Sequence, residues 1–176
     1  MAINLEIGVG SNPQPGYVHS DFVLTRDNRQ HVDIVFSARQ IPFRNESVDG
    51  ILMFGVFEHF GIYDIQEVML EIFRVLKPSG SFRFDVPDFD WFVEVYRTEI
   101  DPVTGKPLEP HRDERWVMHA IFGGQDGPGM EHKWGWSQRR LEEFLRKPNW
   151  PFSAINFLGR QWRDAEENHL IYECVK

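Results

Sequence analysis

Apolar positions along the chain alternate between short β-branched runs and one long helical repeat. INLEIGV (3–9) is a compact apolar run of the kind that forms a buried strand. YVHSDFV (17–23) and HVDIVFSA (31–38) read as a second and a third strand. VDGILMF (48–54) is continuously apolar, as expected at the centre of a parallel sheet. From Asp64 to Leu76 the period changes. Ile65, Val68, Met69, Ile72 and Val75 recur at helical spacing, Asp64 and Glu67 make an N-terminal capping pattern, and Lys77-Pro78-Ser79-Gly80 stops the helix. SFRFDV (81–86) alternates again and predicts a strand ending at Pro87-Asp88.

Beyond Asp88 the order is different. A short helix over 89–97, a loop over 101–110 and a helix over 111–122 lead into a glycine-rich loop, GGQDGPGMEHKWGW (123–136). Ser137 caps a helix on Leu141, Phe144 and Leu145 that ends near Pro148. FSAINFLG (152–159) and HLIYECV (169–175) supply the last two strands. Strand–helix alternation with short connections predicts one α/β layered domain over 1–176. Within it, 3–88 is expected to bind the cofactor, 89–150 to form a substrate cap or lid, and 151–176 to close the sheet.

Composition changes this picture little. At 176 residues the chain suits a single core burying about 70% of its unfolded surface. It is 41% hydrophobic and 26% charged, ordinary for a soluble globular protein. No segment looks like a signal peptide, since Glu6 interrupts the first apolar run, and none reaches the roughly 18 apolar residues of a membrane span. The single cysteine, Cys174, precludes an intramolecular disulfide and any multi-cysteine zinc site, and fits a reducing cytoplasm. A net charge of −8 argues against nucleic acid, whose binders gain most of their affinity from basic residues.

The chemistry concentrates at the strand ends. In open α/β sheets, ligands sit at the carboxyl ends of the strands, near the switch in strand order. A dinucleotide fingerprint would need G-x-G-x-x-G opening a helix and an acid about 20 residues later. This chain has Gly8-x-Gly10-x-x-Pro13, with Pro15 close behind and Asp21 too early. The turn leaves almost no room for a helix that would hold a phosphate.

Taken together, the E-x-G-x-G turn (Glu6, Gly8, Gly10), the strand-ending Asp21, IPFRNESVDGILMFGVFEHF (41–60) and EIFRVLKPSGSFRFDVPD (71–88) resemble the class I S-adenosylmethionine-dependent methyltransferases. The resemblance is to the compact branch, with a shortened first helix. It implies a Rossmann-like fold: a mostly parallel sheet, a C-terminal antiparallel strand and helices on both faces. It also implies S-adenosyl-L-methionine as cofactor, which presents no phosphate and so needs bare backbone rather than a helix N-terminus. Glu6 would orient the turn, Gly8 and Gly10 would lie beside the ribose and amino-acid tail, and Asp21 would accept from the ribose hydroxyls. Phe22, Ser37, Ala38, Arg39, Phe54, Gly55 and His59 complete the implied cofactor set. Ser37 stands where many relatives carry an acid for the adenine amino group, so adenine recognition would fall to Ser37 or to the backbone at Ala38 and Arg39.

Methyl transfer is an in-line displacement in which the protein positions and desolvates the reactants. Asp85, Asp88 and His132 are the candidate bases, with His132 preferred because histidine titrates near neutral pH and its loop could fold over the site. His132 and Asp88 are the expected catalytic residues. A structural role for HKWGWS in anchoring the loop is the competing reading. Asp85, Asp88, Glu131 and His132 match no metal-ligand spacing, and no metal is expected. Trp91, Trp116, Trp134 and Trp136 could form an aromatic platform for a sugar ring, or could be core residues of the cap. The expected acceptor is a small molecule, a saccharide or natural-product hydroxyl or amine. An RNA or protein methyltransferase and a non-catalytic cofactor-binding module are the alternatives, and oligomeric state is left open.

Overall fold

In the computed structural model, residues 2–109, 113–125, 127, 129–160 and 168–176 are described. Seven strands, β1 (Asn4–Ile7), β2 (Val18–Asp21), β3 (Ile34–Val35), β4 (Val48–Met53), β5 (Leu76–Pro87), β6 (Ala154–Arg160) and β7 (His169–Val175), form one sheet. Their order is β3-β2-β1-β4-β5-β7-β6. The first five pair in parallel, while β7 runs antiparallel to both β5 and β6. This is the α/β architecture expected from the sequence, with a mostly parallel sheet and an antiparallel strand at the C-terminus.

Helix α1 (Asp64–Val75) buries the five residues that its period marks, Ile65, Val68, Met69, Ile72 and Val75. Its start differs from the expected capping pattern. Tyr63 is the N-cap and offers no side-chain bond, and Asp64 is already helical. Asp64 and Glu67 instead hold Arg39, at 3.0 and 2.6 Å, while their charges favour the helix N-terminus. The helix runs straight into β5, and the Lys77–Gly80 stop becomes an irregularity within that strand. Val48 pairs with Leu76, but Gly50 pairs with Ser81. Ser79 takes a left-handed φ of 65°, and a Cβ on Gly80 would lie 2.9 Å from the Lys77 carbonyl and 3.0 Å from that of Asp49.

The pairing register separates the two faces of the sheet. Leu5, Ile51, Phe82, Cys174 and Ile155 lie in one cross-strand row, and Ile7, Met53, Phe84 and Tyr172 belong to the same face. Those residues share a single core with α1 and with Leu141, Phe144 and Leu145 of α4 (Gln138–Leu145). The opposite face carries the row His19, Glu6, Leu52, Arg83, Glu173 and Asn156, where Arg83 is exposed. The β1–β2 and β2–β3 connections contain no helix. Among the described residues, α1 and α4 pack on the face that carries Leu5 and Phe82, and no helix comes from the first two connections. Pro13 and Pro15 explain the first connection, since neither can donate into a helix. In the second, Thr25 Oγ1 accepts from the Asp27 and Asn28 amides and Asn28 Oδ1 accepts from Thr25, holding the chain in turns.

Beyond β5, α2 (Phe89–Thr98) and α3 (Glu114–Phe122) bury a small cluster of their own, Trp91, Phe92, Val95 and Val117. The helix expected over 111–122 begins at Glu114, and 110–112 lie outside the described residues.

Candidate active site

The turn after β1 places Gly8 at φ 78° and Gly10 at φ 55°, both left-handed, where glycine is at ease. The Gly8 and Val9 amides donate to the Ser20 carbonyl at 2.8 and 3.1 Å, which binds the turn to β2. A Cβ on Gly8 would collide with Val56 Cγ2, whereas one on Gly10 would meet nothing within 4 Å. Gly10 thus leaves open backbone at the sheet's carboxyl edge. Glu6 is 2% exposed. Its Oε2 accepts from the Gln14 amide at 2.8 Å and lies 3.5 Å from His19 Nε2, so it holds the turn from below.

Asp21 ends β2 beside this turn. Its Oδ1 accepts from the Phe22 amide at 2.8 Å, and its Oδ2 accepts from Asn28 Nδ2 at 3.0 Å. A carboxylate has about four lone-pair positions, so acceptor capacity remains for a ribose hydroxyl. Asn28 escaped the sequence reading, although the Thr25–Asn28 spacing was a usable turn signal. Phe22 is exposed, and its ring packs against Gly129 of the glycine-rich loop. The loop therefore already reaches across to the residue after Asp21.

Ser37 follows β3, and its Oγ accepts from the Arg39 amide. Ala38 is buried in the core, and the Arg39 side chain is held by α1. Phe54 and Gly55 follow β4. Gly55, at φ 65°, donates its amide to Asp85 Oδ1 at 2.8 Å. Asp85 Oδ2 in turn lies 3.0 Å from His169 Nδ1, both side chains being buried. Asp85 is thus a buried brace between β4, β5 and β7. Nothing local in the sequence signals His169, which is 84 residues away.

Asp88 is N-cap of α2, accepts from the Trp91 amide and faces Arg160. The four residues weighed as a metal group do not converge. Asp85 and Asp88 have the partners just named, Glu131 pairs with Lys133 at the surface, and only His132 enters the site. Of the tryptophans, Trp136 is in the main core against Phe57 and Phe144, and Trp91 packs on Trp116 between α2 and α3. Trp134 alone is exposed, so the four make no common platform.

The glycine-rich loop brings a different group together. After β4 the chain makes a single 3-10 turn, Phe57–His59, anchored by Phe57 among Phe84, Trp136 and Phe144. The Glu58 carbonyl accepts from the Lys133 and Trp134 amides, and the His132 amide donates to the Phe122 carbonyl. His132 Nδ1 lies 3.0 Å from the Ala120 carbonyl, and His59 Nδ1 lies 3.1 Å from that of Glu131. The two rings meet edge to face at 4.8 Å, and His132 Nε2 is 3.9 Å from Glu58 Oε1. Burial, helped by the nearby His59, pushes the His132 pKa down to about 4, and burial lowers His59 too.

Both histidines are therefore neutral in the fold at neutral pH and must take up protons on unfolding in acid. The His132 contribution to stability is whole above about pH 6.5 and falls away as pH drops toward 4. In metal-free buffer, moving from pH 7.5 to pH 5 should cost about 1–2 kcal/mol through His132. Urea unfolding at the two pH values, compared with His132→Gln, checks this. An equal loss in the variant would remove His132 as the cause.

Residues 8–84 match the family model described as methyltransferase domain. Over 93 residues the chain is 29% identical to a probable S-adenosylmethionine-dependent methyltransferase of Mycolicibacterium smegmatis. That alignment covers 53% of this chain and 35% of the relative, so the chain spans about a third of the relative's length. Among solved structures, a SAM-dependent methyltransferase of Thermotoga maritima, described as a possible histamine N-methyltransferase, aligns at TM-score 0.63 and 15% identity. The match covers 100% of this chain and 83% of that one. A SAM-dependent methyltransferase of Methanosarcina mazei aligns at TM-score 0.61 and 16% identity, covering 98% and 91%.

The fold is that of the class I methyltransferases. Residues 8–84 are similar to the S-adenosylmethionine-dependent methyltransferase domains, as the motifs implied, and that family and fold imply S-adenosyl-L-methionine as cofactor. The open backbone at Gly10 and the spare acceptor capacity of Asp21 fit that group. No described helix is long and apolar enough to cross a membrane.

Proposed function

We propose that the chain is a methyltransferase that binds S-adenosyl-L-methionine across the carboxyl ends of β1, β2 and β4 and methylates a small molecule. The observation that carries this reading is the pairing of the Gly8–Gly10 turn with the Asp21 carboxylate, fixed by Asn28 on one side and the turn on the other. The bound cofactor supplies an electrophilic methyl on sulfur. The chain's residues position it and exclude water. Glu6 and Ser20 hold the turn, Asp21 accepts from the ribose, and Ser37 with the backbone of Ala38 and Arg39 bounds the adenine side. Phe54 and Gly55 close the floor, and His59 stands at its rim.

The acceptor would enter between Trp134, Phe89 and the His132 loop, where a narrow cleft is lined by Glu58, Phe92 and Ile121 as well. A saccharide or natural-product hydroxyl or amine suits this part-aromatic, part-acidic cleft. His132 faces it with Nε2 as the acceptor, because Nδ1 is turned to a carbonyl. Its low basicity is a poor match to a hydroxyl proton, since the best general base titrates near the working pH. Asp88, capping α2, positions the Pro87–Phe89 wall.

The test is thermal unfolding with S-adenosylmethionine, S-adenosylhomocysteine and NAD in parallel, on the wild type and Asp21→Ala. Ligand at about 100 times its dissociation constant adds roughly 2.7 kcal/mol. The two sulfur compounds alone should raise the midpoint by several degrees. Asp21→Ala should weaken their binding by roughly 1–3 kcal/mol. No shift with either compound overturns the reading in favour of a fold retained without its cofactor. Unchanged affinity in Asp21→Ala would remove that residue from the site.

A further inference from the structure

We propose that Glu58, His59 and His132 form a binding site for one divalent transition-metal ion, zinc or a first-row neighbour such as manganese. One ligand atom from each of the three lies within 4.8 Å of the others. An ion bound at about 2.0–2.2 Å from each would draw them to roughly 3–4 Å apart, a closure of about an ångström by side-chain rotation.

Several independent features point the same way. The ligands come from two segments, the 3-10 turn after β4 and the loop after α3. Backbone bonds from Lys133 and Trp134 to the Glu58 carbonyl pin one segment to the other. Each ring is oriented through Nδ1 by a backbone carbonyl, Ala120 for His132 and Glu131 for His59. At His132 that arrangement fixes the tautomer and leaves Nε2 turned toward Glu58 for an ion, as in metal-ligating histidines generally. Glu58 and His132 have side chains only 4% and 14% exposed, so an ion held between them would be largely shielded from water. Two imidazoles and one carboxylate suit zinc, iron or manganese, and leave coordination positions open.

The place gives the site a use. Glu58 and His132 line the same cleft as Trp134, at the carboxyl edge of the sheet. This further role rests on the methyltransferase reading. An acceptor hydroxyl bound at an open position would lose its proton to solvent. Its oxygen would form a bond to the methyl carbon as the carbon–sulfur bond breaks, the sulfur keeping the electron pair. The ion would supply what His132 lacks as a base, because a bound metal lowers the pKa of a coordinated hydroxyl. The absence of a metal-ligand spacing in the sequence is no obstacle, since 73 positions separate His59 from His132.

The experiment is calorimetric titration of the EDTA-stripped protein with zinc and, separately, manganese. Wild type should bind one equivalent of at least one of them. His59→Gln and His132→Gln should each weaken binding by more than the roughly 100-fold that loss of a supporting group costs. His119→Gln, an exposed histidine on α3, should bind as wild type. Cobalt substitution gives a second readout on the unmutated chain, with visible bands of a nitrogen- and oxygen-ligated ion expected. No binding by wild type, or equal affinity in the His59 and His132 variants, overturns the site. Thermal shift with S-adenosylmethionine in EDTA separates the two readings. A shift there without metal binding sinks the ion and leaves the methyltransferase. Metal binding without that shift does the reverse.

Discussion

Gly123→Ala should dislodge the His132 loop and cost at least about 2 kcal/mol. Gly123 ends α3 at φ 78°, which disfavours any Cβ by roughly 1–2 kcal/mol. The added methyl would also strike the Met130 carbonyl oxygen and lie 2.8 Å from the His132 amide nitrogen. Both are backbone atoms, so no side-chain rotation relieves the clash. The relief available is to break the Gly123–Glu131 bridge and the His132 to Phe122 hydrogen bond. Glu58 would then lose His132, and the loop should become a site of proteolysis. Gly105→Ala is the comparison. Gly105 has a similar φ of 68° but open space around its Cβ, so only the conformational cost of about 1 kcal/mol remains. Limited proteolysis and urea unfolding of both variants decide the matter. Equal effects would mean that φ, not the backbone contact, sets the requirement at Gly123.

Asp85→Ala should be at least as damaging, at about 2–4 kcal/mol, because buried groups that lose a hydrogen-bond partner cost about 1–3 kcal/mol each. Its carboxylate is 1% exposed and serves two groups, the Gly55 amide and the His169 ring. Truncation leaves the Gly55 amide unsatisfied and removes the acceptor facing His169 Nδ1. Against a total stability of about 5–15 kcal/mol, that is a large share. Asp85→Asn retains an acceptor for Gly55 and the shape of the side chain, and His169 can adopt the other tautomer. Its loss should be nearer 1–2 kcal/mol. Denaturant unfolding of the pair gives the answer, and an alanine variant as stable as the asparagine one would deny Asp85 its bracing role.

The core was legible where period and burial coincide. The helical repeat of α1 and the alternation of β5 each needed only one face to be apolar, and the register then followed. Caps were less legible, because Asp64 and Glu67 satisfy a helix-start pattern equally well as partners of Arg39. The helix-free connections were half visible. Pro13 and Pro15 announced the missing first helix, but the turns at 25–31 depend on how Thr25 and Asn28 bond locally. At the site, Gly8, Gly10 and Asp21 are adjacent to strand ends and could be placed from sequence. Asp85 with His169, and His59 with His132, are pairs joined only by tertiary structure. Composition placed four tryptophans near one another in the chain, yet packing sent Trp136 to the main core and Trp91 with Trp116 to a smaller one, and left Trp134 exposed.

The helix-free first connections have a dynamic consequence. At the β3 edge, the sheet is held by two residue pairs to β2, and Val35 is half exposed. With no helix laid over either connection, little apolar burial opposes opening there, and local unfolding free energies follow such burial. Amide exchange should therefore begin at β3 and pass inward to β2, well below the global transition. Asp21 is the last residue of β2. A ligand clasped by its carboxylate would tighten the very edge that frays first, so occupancy would be read as slowed exchange across residues 18–35.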